Sequence, residues 1–257
     1  MSARVSWISL TPVKALALEQ VEQVELREDG LRGDRRFYLV DENDRLVNDT
    51  GKNGPLQTVH GLYDEEADVL SMRLPDGTEV RAEVERGAEL TTIFHGHPLP
   101  ARLAPGPWDA ALSDLIGKEL RLVAPAYGAA DRGRSGAASL LGTASLHALA
   151  GVLGVDEVDA RRFRMSFGVE GIAAHEEDSW IGRRVQIGAA VVVPQGHIGR
   201  CVITTQDPAT GRTDLDTLKA LAAYRGELET TEPLPFGIYA AVAEPGLVRL
   251  GDAVAVL

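Results

Sequence analysis

Cysteine is almost absent from this sequence, since Cys201 is the only one in 257 residues. A single thiol cannot form an intramolecular disulfide, a four-cysteine zinc site or a four-cysteine iron–sulfur cluster. Three roles stay open: a buried small hydrophobe, a nucleophile, or a single soft metal ligand. Composition alone favours burial, because free cysteine is among the most buried residue types. The preceding Arg200 favours the thiolate, which is the form that attacks or binds a metal.

Positive charge and long apolar runs are also scarce. The chain has 26 lysines and arginines against 38 acidic residues, which gives a formal net charge of −12. This charge argues against non-specific nucleic-acid binding and against docking on anionic lipid. No apolar run approaches the roughly 20 residues of a membrane span, and the first residues lack the apolar stretch of a signal peptide. With the single unpaired cysteine, these features predict a cytoplasmic protein that binds neither nucleic acid nor membrane.

The chain is rich in short strand patterns. Apolar and polar residues alternate in 70–74 and again in 80–84, on either side of the turn Pro75-Asp76-Gly77, which predicts a hairpin. A second hairpin is predicted for 36–40 and 45–47. Further strands are expected in four stretches: 185–193, 201–205, 238–242 and 248–257.

Helical spacing is limited to three segments. The predicted helices, with their capping residues, are 108–116 before Gly117, 144–153 after Thr143 and before Gly154, and 215–225 after Asp214 and before Gly226. Short strands with a few helices favour a mainly β fold, a barrel or sandwich, over a doubly wound sheet. Loop-like sequence in 95–106 predicts a boundary between a domain of residues 1–95 and a domain of residues 96–257.

Two histidine arrangements are weak candidates for chemistry. His95 and His97 share one face of a strand, but no third ligand lies close in sequence, so a zinc site is disfavoured. His197 lies four residues before Cys201 and could act as its base. No residue near it in sequence is assignable to orient it, so a Cys–His hydrolase is disfavoured as well.

Arginines cluster despite the acidic total. Their forked donors suit phosphate and planar heterocycles, although a solvated surface role is the commoner one for any single arginine. The clusters are Arg32, Arg35 and Arg36; Arg132 and Arg134; and Arg161, Arg162 and Arg164. The segment 127–138, rich in Gly, Ala, Ser and Arg, is predicted to be a mobile loop.

An ordered series of motifs resembles the MOSC family, the molybdenum-cofactor sulfurase C-terminal-like domain, preceded by its N-terminal β-barrel domain. The most specific block is Arg-Cys-Val-Ile-Thr-Thr-Gln-Asp-Pro-Ala-Thr-Gly at 200–211. The other matching segments, in chain order, are Thr-Pro-Val-Lys at 11–14, Gly-Leu-Arg-Gly-Asp-Arg-Arg-Phe-Tyr at 30–38, Thr-Ala-Ser-Leu at 143–146, the expected strand Arg-Phe-Arg at 162–164, Glu-Asp-Ser-Trp at 177–180 and Phe-Gly-Ile-Tyr at 236–239.

The resemblance implies a mainly β fold with a few helices, made of a β-barrel MOSC domain and a smaller N-terminal β-barrel-like domain. It also implies binding of a molybdopterin-type molybdenum cofactor, with Cys201 as the metal ligand and catalytic residue, a role that suits a soft thiolate. The residues it assigns to cofactor binding are Lys14, Arg36, Thr143, Ser145, Arg164, Ser166, Arg200 and Thr205. The chain departs from the family pattern at Ala15, where many relatives have Ser, and at Ser166, where many have Asn.

The activity that the resemblance implies is reduction of N-hydroxylated small molecules such as amidoximes, hydroxylamines and N-hydroxylated bases. Some bacterial relatives carry a ferredoxin domain that this chain lacks, so a separate electron-transfer protein is the expected partner. Two alternatives stay open. One is a sulfur carrier or transferase with a persulfide on Cys201, and the other is a molybdenum-cofactor carrier without turnover.

Overall fold

A computed structural model describes residues 2–128, 133–230 and 232–257 of the chain. Three α-helices are found in these residues: α1 (Pro107–Ile116), α2 (Thr143–Leu153) and α3 (Thr217–Arg225). The described strands are β1 (Arg4–Leu10), β2 (Glu19–Gln20), β3 (Gln23–Arg27), β4 (Gly30–Leu31), β5 (Tyr38–Val40), β6 (Leu46–Val47), β7 (His60–Asp64), β8 (Val69–Arg73), β9 (Glu79–Glu83), β10 (Glu89–Phe94), β11 (His97–Leu103), β12 (Arg121–Pro125), β13 (Ala138–Gly142), β14 (Phe167–Glu170), β15 (Val185–Ile187), β16 (Ala190–Gly199), β17 (Pro235–Glu244), β18 (Gly246–Arg249) and β19 (Val254–Val256). The predicted mainly β class with a few helices is confirmed.

Eight strands form one large sheet in the order β19-β15-β16-β17-β13-β14-β1-β2. Its first strand in sequence, β1, pairs antiparallel with β14, and β13 pairs parallel with β14. The inward-facing side chains of this sheet, such as Val5, Ile8 and Ile238, form one buried core with side chains from β3 and β18. The N-terminal strands therefore contribute to a core built mostly from the second half of the chain.

A second core lies among residues 13–122. It includes Phe37, Leu56 and Trp108, all at most 1% exposed. Around it are a five-stranded sheet, β10-β11-β12-β5-β6, and the three-stranded meander β7-β8-β9. The predicted domain boundary at 95/96 falls between the paired strands β10 and β11, and the division into two domains stays a prediction.

Both predicted hairpins are present. In β8 and β9, Leu70 pairs with Ala82 and Met72 pairs with Val80, and Leu70 and Met72 are buried. The turn is closed by Asp76, whose side chain accepts from the backbone N–H of Thr78. The second hairpin pairs β5 with β6. Period-two alternation was therefore a reliable guide where the strand has one buried face.

The helix ends follow backbone conformation. Gly117 and Gly154 both adopt left-handed φ of 70° at the C-terminal ends of α1 and α2, as their sequence positions predict. The predicted N-cap Asp214 is wrong. Asp216 caps α3 by accepting from Lys219 N, and the Asp214 carboxylate is held by the Arg162 guanidinium instead.

Within the part of the chain that the structure describes, five segments form 3-10 helices: Gly51–Thr58, Gly133–Gly136, Ala160–Phe163, Glu176–Trp180 and Val202–Thr205. Two predicted strands are therefore wrong. In the first, Cys201 precedes the 3-10 helix Val202–Thr205; in the second, Arg162 and Phe163 end the 3-10 helix Ala160–Phe163, and Arg164 follows with φ of 52°. Of the predicted loop 127–138, residues 129–132, including Arg132, lie outside the described residues. Its end is ordered as the start of β13.

Among the described residues, none of the helices has both the length and the apolar character that crossing a bilayer requires.

Candidate functional site

A cavity of about 440 Å³ lies between the N-terminal segments and the end of the large sheet. It brings together five of the nine residues that the sequence assigned to the site: Lys14, Arg164, Ser166, Arg200 and Cys201. These residues come from positions as far apart as 14 and 201, so the cavity depends on the folding of both halves of the chain. Its size is in the range of small-molecule and cofactor sites.

Cys201 is exposed, so the burial that composition favoured is wrong. It follows β16 in an extended conformation, with φ of −123°, and directly precedes the 3-10 helix Val202–Thr205. Its carbonyl oxygen accepts from the backbone N–H of Thr204 at 3.2 Å and from the Thr204 hydroxyl at 3.1 Å. These two bonds hold the Cys201 backbone in the turn, and Cys201 lines the cavity.

Arg200 fixes the residue before the thiol. Its Nε donates to the carbonyl of Phe236 at 2.8 Å, and one terminal nitrogen donates to the carbonyl of Phe163 at 2.8 Å. The other terminal nitrogen donates to Phe236 O and to the sulfur of Met165. The guanidinium also lies 5.3 Å from the centre of the Phe163 ring. Arg200 therefore ties the end of β16 to β17 and to the turn before β14.

Arg164 and Lys14 place positive charge on the wall that closes the cavity. Arg164 donates to the carbonyl of Leu16 at 2.8 Å, and its guanidinium lies 3.6 Å from the buried carboxylate of Asp49. Lys14 Nζ lies 5.8 Å from the centre of the Phe94 ring, and the Lys14 backbone N–H donates to Phe37 O. Cationic side chains at this wall suit an anionic group such as phosphate.

Ser166 is buried at the base of the cavity. Its hydroxyl lies 3.1 Å from that of Ser139, which also accepts from the Ser166 backbone N–H at 2.9 Å. Ser139 lines the cavity too, and sequence reasoning missed it, because only the parallel pairing of β13 with β14 reveals that the two serines meet.

Four predicted cofactor-binding residues are not among the described residues that line this cavity: Arg36, Thr143, Ser145 and Thr205. Arg36 is held by Asp29 at 2.7 Å and Glu65 at 3.0 Å. Asp29 does line the cavity, so Arg36 lies one contact behind the wall. The Thr205 hydroxyl donates to Val202 O within its own 3-10 helix, at 2.7 Å. The cofactor-binding role of these residues stays a prediction.

Ser145 and Thr143 lie at the start of α2. The Ser145 hydroxyl donates to the fully buried carboxylate of Glu177 at 2.7 Å, and the Gly142 backbone N–H donates to the same oxygen at 3.1 Å. Burial raises the pKa of Glu177, against the effect of these hydrogen bonds. The Thr143 hydroxyl lies 3.4 Å from Val169 O. Both residues thus have structural partners within the fold.

The sequence reasoning also missed residues that the fold brings to the cavity from the N-terminal part. Arg35 was recognised only as one of an arginine cluster; it pairs with Asp34 and donates to Arg164 O at 2.9 Å. His95 lines the cavity from the turn between β10 and β11, where its ring packs edge-on against Phe94. His197, by contrast, faces Asp178 at 3.4 Å and is not among the described residues lining the cavity.

The donor set fits a molybdenum cofactor of the molybdopterin type. Cys201 is the one thiol in the sequence, a soft ligand when deprotonated, and it is exposed in a cavity of suitable size. In the described residues, no cluster of three or more His, Cys, Asp and Glu side chains could hold a metal ion.

Two family models match the chain, "MOSC domain" at residues 128–255 and "MOSC N-terminal beta barrel domain" at residues 2–117. The chain belongs to the MOSC family. Among curated MOSC relatives, mitochondrial amidoxime-reducing component 1 of Mus musculus is 37% identical over 106 residues, which cover 39% of this chain and 31% of the relative. Mitochondrial amidoxime reducing component 2 of Homo sapiens is 41% identical over 102 residues, 36% of this chain and 29% of the relative.

The matched segment thus spans about a third of the length of these curated relatives. Among solved structures, the YuaD protein of Bacillus subtilis aligns with 99% of this chain and 94% of its own, at 12% identity and a TM-score of 0.46. Below, the N-terminal half means residues 2–117 and the MOSC half means residues 128–255, as the two family models divide the chain.

Proposed function

We propose that this MOSC protein binds a molybdopterin-type molybdenum cofactor in the cavity described above, with the Cys201 thiolate as its metal ligand. We further propose that it reduces N-hydroxylated small molecules. The observation that carries the proposal is that the single thiol of the chain is exposed in a cavity walled by Lys14, Arg35 and Arg164. The similarity to amidoxime-reducing components supports the reaction class.

When bound, the cofactor supplies a centre that accepts and delivers two electrons. The overall reaction breaks the N–O bond of the substrate: an N-hydroxy group, two electrons and two protons give an N–H group and water. We propose that a separate electron-transfer protein supplies the electrons.

The side chains of this protein bind and orient. Arg200, held by the carbonyl groups of Phe236 and Phe163, restrains the backbone before Cys201. Arg164 and Lys14 provide donors for the phosphate of the cofactor. Ser166, with Ser139, offers hydroxyl groups at the base of the cavity, where the family pattern often has an amide. Arg36 holds Asp29 in the wall.

Molybdenum content tests the ligand assignment. The full chain is produced in a host that makes the cofactor, as wild type, as Cys201→Ser, and as Ser179→Ala, an exposed serine in the 3-10 helix Glu176–Trp180. We expect about one molybdenum per chain in wild type and in S179A, and at least a tenfold loss in C201S, because a hydroxyl is a poor replacement for a soft thiolate. Equal molybdenum in wild type and C201S contradicts the assignment.

Turnover tests the reaction. With a chemical reductant as electron source, molybdenum-loaded wild type is expected to convert benzamidoxime to benzamidine, and C201S is expected to be inactive. Bound molybdenum without loss of benzamidoxime or hydroxylaminopurine would point to a carrier. An increase of about 32 Da in intact mass, reversed by a thiol reductant and absent in C201S, would point to a persulfide on Cys201 and hence to sulfur transfer.

The cytoplasmic location stays a prediction.

A further inference from the structure

A buried contact between the two halves lies directly behind the Cys201 turn. The side-chain amide of Gln57, in the 3-10 helix Gly51–Thr58, donates to the side-chain oxygen of Gln206 at 3.0 Å. Gln57 is 3% exposed and Gln206 is 2% exposed. Both side chains are almost fully buried, so removal of the Gln57 amide leaves the Gln206 side-chain oxygen without this donor.

Gln206 passes this restraint to the turn that carries the thiol. Its backbone N–H donates to Ile203 O at 3.0 Å, which closes the 3-10 helix Val202–Thr205 at its end. Its side-chain amide donates to Gly211 O at 3.1 Å, which fixes the loop that follows. At the other end of the helix, Thr204 N–H donates to Cys201 O. A continuous set of hydrogen bonds therefore connects Gln57 with the Cys201 backbone.

The same junction brings two backbones into contact. A Cβ placed on Gly54 would lie 2.1 Å from the carbonyl oxygen of Gly211 and 3.1 Å from the Gln206 amide nitrogen. Only glycine permits this approach, because no heavy atom is tolerated at such a distance. Asn48 and Thr50, just before this 3-10 helix, line the cavity that Cys201 also lines. The contact thus sets the spacing between one wall of the cavity and the thiol.

We propose that Gln57, acting through Gln206, is a positioning residue for Cys201. It is not among the described residues that line the cavity, and it acts by holding the Cys201 turn against the N-terminal half. That a fixed thiol position helps to bind the cofactor rests on the proposed function. That Gln57 restrains the Cys201 turn does not. Gln57 affects the thiol because its bond to Gln206, 149 residues later in the sequence, joins the N-terminal half to the MOSC half.

The test uses the full chain without cofactor, as wild type, Gln57→Met and Thr58→Val. Met keeps the approximate length of the side chain and removes its amide. Thr58→Val is the matched control, since its hydroxyl donates to Pro55 O inside the same 3-10 helix. Hydrogen exchange reports the backbone amides of 202–206, and a nitroxide label on Cys201, the only thiol, reports the mobility of the turn by electron paramagnetic resonance.

In Q57M we expect about tenfold faster exchange at the amides of Thr204 and Gln206, the factor that an unsatisfied buried amide adds to a local opening equilibrium. The nitroxide spectrum is expected to show greater mobility in Q57M and the wild-type line shape in T58V. Gly54→Ala, whose Cβ would meet the Gly211 carbonyl oxygen and the Gln206 amide nitrogen, is expected to loosen the same amides.

The proposal is overturned if Q57M keeps wild-type exchange and line shape at 201–206, whatever G54A does. It is also overturned if Q57M speeds exchange equally across the whole chain, because Gln57 would then contribute only to global stability. Neither readout needs molybdenum. A protein that fails the metal analysis above can therefore still show the coupling, and one that binds molybdenum can still lack it.

Discussion

The two halves of the chain each hold a partly buried titratable group, and burial favours the neutral form of both. In the N-terminal half, burial raises the pKa of Asp109 to about 6, although the carboxylate accepts from Leu122 N at 2.9 Å. In the MOSC half, burial lowers the pKa of His175 to about 4, helped by the charge of Arg225 and opposed by Asp178. The neutral form of Asp109 is the protonated carboxyl, whereas the neutral form of His175 is the deprotonated imidazole.

This difference gives the two halves opposite responses to acid. The folded state binds more protons than the unfolded state at Asp109 between about pH 4 and pH 6, so this contribution to stability is lost as the pH rises. At His175 the folded state binds fewer protons between about pH 6.5 and pH 4, so that contribution is lost as the pH falls. A flat dependence of stability on pH in this range can therefore result from two opposing titrations.

The largest expected effect is on the pH dependence of stability that Asp109, in the N-terminal half, contributes. Asp109→Asn keeps an oxygen acceptor for Leu122 N and removes the titration. The free energy of unfolding of D109N relative to wild type is expected to rise by up to about 3 kcal/mol from pH 4 to pH 7, two pKa units of linkage. Urea denaturation at each pH measures it. Parallel pH profiles of the free energy of unfolding for the two proteins would contradict a raised pKa of Asp109.

His175→Asn is expected to give the opposite slope. His175 has φ of 61°, a conformation that Asn tolerates well, so the backbone is kept. Relative to wild type, the free energy of unfolding of H175N is expected to gain about 2 kcal/mol as the pH falls from 6.5 to 4. The lost hydrogen bond to the Tyr224 hydroxyl, 2.7 Å in wild type, adds a constant offset.

The double variant D109N/H175N is the control for both substitutions. The two sites share no partner, so their effects are expected to add, and the slope of the double variant should match the sum of the two single variants. A slope that differs from this sum would show that the halves are coupled through these groups, and the two-part interpretation would then fail.

A smaller effect on stability is expected for substitution of Arg36. Its partner Asp29 also lies in the N-terminal half, but its pKa shifts in the opposite direction to that of Asp109. Burial acts to raise the pKa of Asp29, but the hydrogen bond and charge of Arg36 outweigh it, and the pKa is lowered. A carboxyl group with a lowered pKa stabilises the fold above about pH 4, and that stabilisation is lost as the pH falls further. Arg36→Met is expected to cost about 1 kcal/mol at pH 7, since Asp29 is 36% exposed and solvent screens the pair.

The measurement for Arg36 is denaturation of R36M and wild type at pH 7 and at pH 3. The difference between the two proteins is expected to shrink as the pH falls towards 3, because protonation of Asp29 weakens its ion pair with Arg36 in wild type. A difference that stays constant with pH would show that Arg36 acts through packing of its stem and not through the carboxylate.

Local signals in the sequence predicted much of the fold. Alternation predicted the β8–β9 hairpin, and Gly117 and Gly154 predicted two helix ends, because each depends on residues within one turn or one strand pair. The predictions that depend on distant partners were wrong. Asp214 was an obvious cap for α3, but Arg162, 52 residues earlier, binds its carboxylate in a bidentate pair.

The site shows the same limit. The β-branched run after Cys201 predicted a strand, yet Thr204 folds back onto the Cys201 carbonyl, and its own hydroxyl contacts Thr217 at 2.7 Å. Cys201 was predicted as a candidate ligand from its motif, and its exposure agrees with access by a ligand. Ser139, Arg35 and the junction of Gln57 with Gln206 depend on contacts across the fold that no spacing in the sequence encodes.

The place of β1 in the large sheet has a consequence for biosynthesis. This strand is made first, but its partner β14 follows about 160 residues later, which is on the order of ten to thirty seconds at ribosomal speeds. The bridge of Arg4 with Ala253 joins residues even farther apart in the chain. Val5 and Ile8 therefore lack most of their core partners while most of the chain is synthesised, and early local folding of residues 13–122 is expected to limit aggregation during that time.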